Sequence, residues 1–145
     1  MKSIREHVDF NLLLNEFSQR IVTEKLDIPA KLSYAIYKNV NKLDTTVKYY
    51  EKKRKEIVDN FSEKDKKGEV IVKDNMPIIK DQEKANKAYM ELLELDADID
   101  LYLVDINVES LLEDLEGNHQ TLSLLWAILD VLKPSNVKVK EMINA

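Results

Sequence analysis

A chain of 145 residues with two glycines, three prolines and 34% charged residues has the composition of one helical domain, with too few turn residues for a many-stranded β fold. Having no cysteine, it has no disulfide framework, thiolate nucleophile or thiolate zinc site. The net charge of −5 is unevenly spread: residues 1–87 hold nineteen Lys/Arg against fifteen Asp/Glu, whereas Ala88 to Leu132 hold eleven Asp/Glu and no Lys or Arg. Such a field governs partners and solubility, and names no reaction.

The start, MKSIREHVDFNLLLNEF, is not expected to be a signal peptide, because Glu6, Asp9 and Glu16 interrupt its apolar residues. Phe10, Leu13, Leu14, Phe17 and Ile21 recur at helical spacing and predict a helix over about 8–25. Pro29 then suits the first turn of a second helix.

That second helix, about 29–64, is the spine. Ile36, Leu43, Tyr50 and Ile57 lie seven apart; Val40, Val47, Arg54 and Phe61 form the companion series. This is an a/d seam in which only Arg54 is charged. A partner helix over about 80–95 carries Ala85, Tyr89, Leu92 and Leu95 on one face. It is less than half as long as the spine, which suggests that part of the seam meets another chain, as a homodimer or hetero-complex, unless the first helix completes the core. Arg54 is expected to restrict the register.

Between these helices, the β-branched run 69–73 predicts a short strand, stopped by Asp74-Asn75 and Pro77. A second strand is expected over 98–105, with Ile99, Leu101 and Leu103 on one face and Asp98, Asp100, Tyr102 and Val104 on the other. The two are expected to pair, since single strands are marginal. A short helix from Glu109 to Glu116 ends at Gly117, and an apolar helix, 119–132, ends at Pro134. Residues 135–145 read as a weakly ordered tail. The fold class expected is mainly α, with a long central helix in an antiparallel hairpin, flanking helices and a small two-stranded β element, all in one domain, 1–145. The longest uncharged run, Gly117 to Leu129, is too short to span a bilayer, so a cytoplasmic location without membrane contact is expected.

Asp96, Asp98 and Asp100 are spaced like hard-cation ligands, but the calcium-loop pattern fails: Leu101 and Asn107 stand where Gly and Glu are needed. A divalent-metal enzyme built on these three remains an alternative. His7 and His119 lie near predicted helix starts, where capping or surface roles outweigh catalysis. With only Gly68 and Gly117, there is no glycine-rich phosphate loop. No cofactor or catalytic residue is expected. The basic run Lys48, Lys52, Lys53, Arg54 and Lys55 is interleaved with Glu51 and Glu56, as in a solvated helix with pairs such as Glu51–Lys55, so direct nucleic-acid binding is not expected. The candidate contact surface is acidic: Asp98, Asp100, Asp105, Glu109, Glu113 and Glu116, unless the basic spine neutralises it.

The order of elements supplies one more expectation. Pro29-Ala30-Lys31-Leu32-Ser33-Tyr34-Ala35-Ile36 leads into Asn39-Val40-Asn41-Lys42-Leu43 and a charged helix. Lys64-Asp65-Lys66-Lys67-Gly68-Glu69, a shorter helix, the acidic Ile99-Asp100-Leu101-Tyr102, the Leu111–Leu115 segment and an apolar helix follow. Over about 29–132 this resembles a family of small tailed-bacteriophage proteins known only as a domain of unknown function. The resemblance implies a phage or prophage origin and transfers no catalytic residues. The function expected is non-enzymatic, through protein–protein contacts in virion assembly or counter-defence; an acidic nucleic-acid mimic that inhibits a host defence enzyme is the other alternative.

Overall fold

Ser3 opens the first helix, its Oγ accepting the Glu6 N–H at 3.2 Å. In the computed structural model, which describes residues 1–134, the elements are α1 (Ile4–Thr23), α2 (Ala30–Phe61), β1 (Val72–Lys73), β2 (Met76–Pro77), α3 (Gln82–Leu93), α4 (Glu109–Asp114) and α5 (His119–Leu132). These five helices cover 63% of the described residues, so the mainly helical class holds, as does the antiparallel α2–α3 hairpin. The tail read as weakly ordered, 135–145, lies outside the described residues. Helix α1 begins four residues earlier than the apolar spacing predicts, because the Ser3 cap starts it at Ile4, ahead of the first periodic apolar residue. It ends in a Schellman turn: Leu26 N–H reaches Ile21 C=O at 3.0 Å, with Lys25 in the left-handed region at φ 53°.

Helix α2 is ~48 Å long, α1 ~30 Å and α3 ~18 Å at about 1.5 Å per residue. The two shorter helices therefore add up to the length of the spine, and they lie along it end to end. Helix α1 folds back over the first two-thirds of α2, up to Tyr50, and α3 returns over the remainder. They meet at Tyr50, which forms a small buried cluster with Ile4, Leu92 and Leu93. Ile4 N–H donates to Leu95 C=O across the junction at 3.1 Å.

In this arrangement α1 as well as α3 covers the seam, the alternative in which the first helix completes the core. Ile36, Leu43 and Tyr50 are buried by the chain itself, and Val40, Val47, Ile57 and Phe61 are half-buried. Arg54 is exposed. The larger core joins α1 (Phe10, Leu14, Phe17), α2 (Leu32, Ala35, Ile36, Leu43), the chain from Val104 to Leu115, and α5 (Leu125, Ile128, Leu129, Leu132).

The expected strand pairing is not formed. Val72–Lys73 pairs antiparallel with Met76–Pro77 through a tight turn. Asp74 and Asn75 both adopt positive φ there, as a type I′ hairpin requires. Residues 97–107 run without a bend but belong to no strand, and Val108 turns toward the next helix at φ −114° and ψ 13°.

Candidate functional site

The acidic residues sit on that extended segment and on α4, and three sets of hydrogen bonds fix its path. At its start it runs antiparallel to the first residues of the chain: Ala97 N–H donates to Lys2 C=O at 2.6 Å and Ile99 N–H to Met1 C=O at 3.0 Å. At its centre it is clamped by Asn39, a side chain of α2 with no solvent exposure. The Asn39 carboxamide accepts the Tyr102 N–H at 2.7 Å and donates to the Tyr102 C=O at 3.0 Å, with a further bond to Ala35 C=O at 2.9 Å. One side-chain amide thus does what a neighbouring strand does in a sheet. Further on, Val104 N–H donates to Leu132 C=O at 2.8 Å, satisfying a carbonyl at the end of α5.

The clamp also accounts for the broken alternation. Ile99 and Leu101 are half-buried as expected, but Leu103 is 50% exposed while Val104, Ile106 and Val108 are buried. The burial phase slips by one residue just after the clamp. An irregular segment allows this slip, whereas a paired strand holds its register.

Asp98, Asp100, Asp105, Glu109, Glu113 and Glu116 are all exposed. Among the described residues, no Lys or Arg lies within 4 Å of these carboxylates; the terminal ammonium is 3.9 Å from Asp98. The spine does touch the segment, but at a backbone atom: Lys42 Nζ donates to Asp100 C=O at 3.0 Å. The basic run on α2 is partly balanced within its own helix. Lys48 meets Asp44 at 2.9 Å and Lys53 meets Glu56 at 3.0 Å. In each case the hydrogen-bonded carboxylate raises the lysine pKa. These pairs stand in place of the Glu51–Lys55 pair expected from spacing, which is not within 4 Å among the described residues.

Asp96, Asp98 and Asp100 do not converge. Asp96 Oδ1 is occupied by the Asp98 N–H at 3.2 Å, and the described residues hold no group of three carboxylates or histidines placed to share a cation. Extended backbone keeps alternate side chains on one face but ~7 Å apart, too far for a common ion. His7 departs from its expected surface role: it is fully buried, with Nε2 3.3 Å from Met1 C=O and Nδ1 without a hydrogen-bond partner. His119, at the start of α5, is exposed.

A second surface feature was not legible as a site. Tyr34 and Tyr37 of α2 and Tyr102 of the segment are 49%, 63% and 37% exposed and form one aromatic cluster. Tyr34 meets Tyr102 edge-on at 5.4 Å and Tyr37 at 6.4 Å. Beside them Tyr34, Tyr37, Lys38, Asn41 and Lys42 line a hollow of about 400 Å³ with no carboxylate in its wall. The helical spacing of Tyr34, Lys38 and Lys42 was available in the sequence, but Tyr102 is brought to them only by the Asn39 clamp.

At the other end of the fold, α1 and α5 are joined by a polar network. Thr121 Oγ1 lies 2.8 and 2.9 Å from the two Glu24 carboxylate oxygens, and Asn118 Nδ2 donates to Glu24 at 2.8 Å. Arg20 completes it at 3.4 Å from Glu24. The network is structural: it fixes the start of α5 against the end of α1. No helix among the described residues is long and apolar enough to cross a membrane. Comparison with protein-family models, with curated proteins and with solved structures finds no match to this chain.

Proposed function

We propose that the chain is a non-catalytic protein-binding module that presents its acidic run, Asp98 to Glu116, to a basic face of another protein. The observation that supports this reading most is that six exposed carboxylates lack a Lys or Arg counter-ion among the described residues. Stability does not explain them all. Glu113, with its neighbour Asp114, falls in the last turn of α4, where a negative charge opposes the helix dipole by on the order of 0.3–1 kcal/mol. A phage or prophage setting, in the host cytoplasm and directed to virion assembly or counter-defence, rests on the resemblance in element order over 29–132.

The reading is tested on α4. Glu109→Lys, Glu113→Lys and Glu116→Lys together reverse the exposed charge of α4 and the turn after it without touching the core. The parent chain is expected to retain a basic protein from host lysate, and both added salt and the triple variant to abolish retention at unchanged melting temperature. Retention that survives the reversal refutes the acidic contact. A nuclease as the retained partner identifies the acidic mimic, and capsid or tail proteins identify assembly.

A further inference from the structure

We infer that two copies of the chain associate face to face where α2 and the 98–103 segment lie side by side, across the cluster of Tyr34, Tyr37 and Tyr102. This inference assigns Asp98 and Asp100, the first two carboxylates of the acidic run, to the contact between copies and leaves the α4 carboxylates Glu109 and Glu113 to the partner proposed above. Tyr34, Lys38 and Lys42 follow one another at i, i+4 and i+8 along one ridge of α2. Tyr34 touches Tyr102, and Lys42 Nζ touches the Asp100 carbonyl, so ridge and segment run in opposite chain directions as adjacent stripes. One stripe is basic, with Lys38 and Lys42. The other is acidic, with Asp98 and Asp100, and tyrosines lie at the end they share.

Adjacent stripes of opposite sign are self-complementary under a two-fold rotation. With the axis along their boundary and parallel to α2, the basic stripe of one copy covers the acidic stripe of the other at the same height. Lys42 of each copy then faces Asp100 of its mate, and the tyrosine clusters meet around the axis. Such an isologous contact repeats each favourable pair twice and closes as a dimer. The tyrosines supply aromatic contact area at one end of the interface, and the charged stripes supply complementarity along the rest. Three rings, 37–63% exposed and already touching one another, lose water together when covered. Charge complementarity selects a second copy as the occupant, because the chain carries both signs in register.

Sedimentation equilibrium of three variants tests this. The parent is expected to rise from 16.9 kDa toward twice that mass with concentration. Lys42→Glu alone, or Asp100→Lys alone, turns two attractions into two repulsions and is expected to weaken the dimer about tenfold or more. An equimolar mixture of the two variants restores both attractive pairs and is expected to associate as the parent does. Tyr37→Ala, at the most exposed ring, is expected to weaken the dimer while melting as the parent does. A monomer at every concentration, a mixture no tighter than its components, or a dimer indifferent to Tyr37→Ala overturns the inference. Retention of a basic protein by the α4 surface is read separately and stands or falls on its own.

Discussion

Asn39→Ala removes the clamp on the acidic segment, and its cost follows from the three hydrogen bonds. The bond to Ala35 C=O contributes little, because that carbonyl already accepts within the helix. The two bonds to Tyr102 are the long-range ones, at 2.7 and 3.0 Å. At about 0.5–1.5 kcal/mol each they are worth about 1–3 kcal/mol, and the better helix propensity of alanine returns about 0.6 kcal/mol. The void left by a fully buried side chain adds to the loss. A net destabilisation of about 1–3 kcal/mol is expected, read as a lower urea midpoint and a melting temperature lower by about 4–10 °C.

Asn39→Asp is the sharper variant. Its carboxylate still accepts the Tyr102 N–H, but its second oxygen faces two carbonyls it cannot serve. Burial and those acceptors raise the folded pKa above the unfolded value of about 3.9, so the penalty is present at neutral pH and relieved as pH falls through the raised value. Asn39→Asp is therefore expected to be less stable than Asn39→Ala at pH 7 and, once its carboxyl is protonated and can again donate to a carbonyl, more stable than Asn39→Ala in acid. Hydrogen exchange at the Tyr102 amide should accelerate in both variants. If Asn39→Ala unfolds within about 0.5 kcal/mol of the parent and leaves Tyr102 protected, the carboxamide does not hold the segment.

Tyr50 has its hydroxyl 2.8 Å from that of Tyr89 and its pKa pushed up to about 12, first by burial and then by that hydrogen bond. Its folded value exceeds the unfolded value of about 10, so its contribution to stability is complete below pH ~10 and lost as pH rises through about 12. Absorbance titration is expected to show one late-ionising tyrosine, absent in Tyr50→Phe; a titration unchanged by that substitution refutes the assignment. Lys25 occupies a left-handed position at φ 53°, which costs an L-residue about 1 kcal/mol. Lys25→Gly is expected to raise the unfolding free energy by about 0.5–1 kcal/mol in urea titration, and a loss of stability would show that the Lys25 side chain matters more than its backbone.

The helices were largely legible because their signals are local. The seven-residue spacing from Ile36 to Phe61 marked α2, and Gly117 and Pro134 bracketed α5. What stayed hidden depends on contacts between residues distant in sequence. Ile99 and Leu101 alternate as a strand does, yet the backbone at Ile99 pairs with Met1, and at Tyr102 the partner is the side chain of Asn39, one polar residue among many on a charged helix. The hairpin turn is hidden for a different reason. Asp74-Asn75 after Val72-Lys73 reads equally as a strand stop or as a tight reversal, because both residues tolerate positive φ. The acidic residues of the candidate site were readable as a run; that no spine lysine comes within 4 Å of their carboxylates was not. His7 looked like a surface residue because the pairing of residues 1–4 with 95–99, which encloses it, joins chain segments nearly a hundred residues apart.

The end-to-end placement of α1 and α3 gives α2 two neighbours that meet only at a small junction. The part beneath α1 is shared with α5 and the large core, whereas the part beneath α3 rests on the Tyr50 cluster and an exposed hairpin. One continuous helix therefore belongs to two cooperative units of unequal strength. Native-state hydrogen exchange is therefore expected to show the amides of α3 and the last turns of α2 exchanging sooner than those of α1 and α5, with the change in protection falling at the Ile4–Leu95 junction.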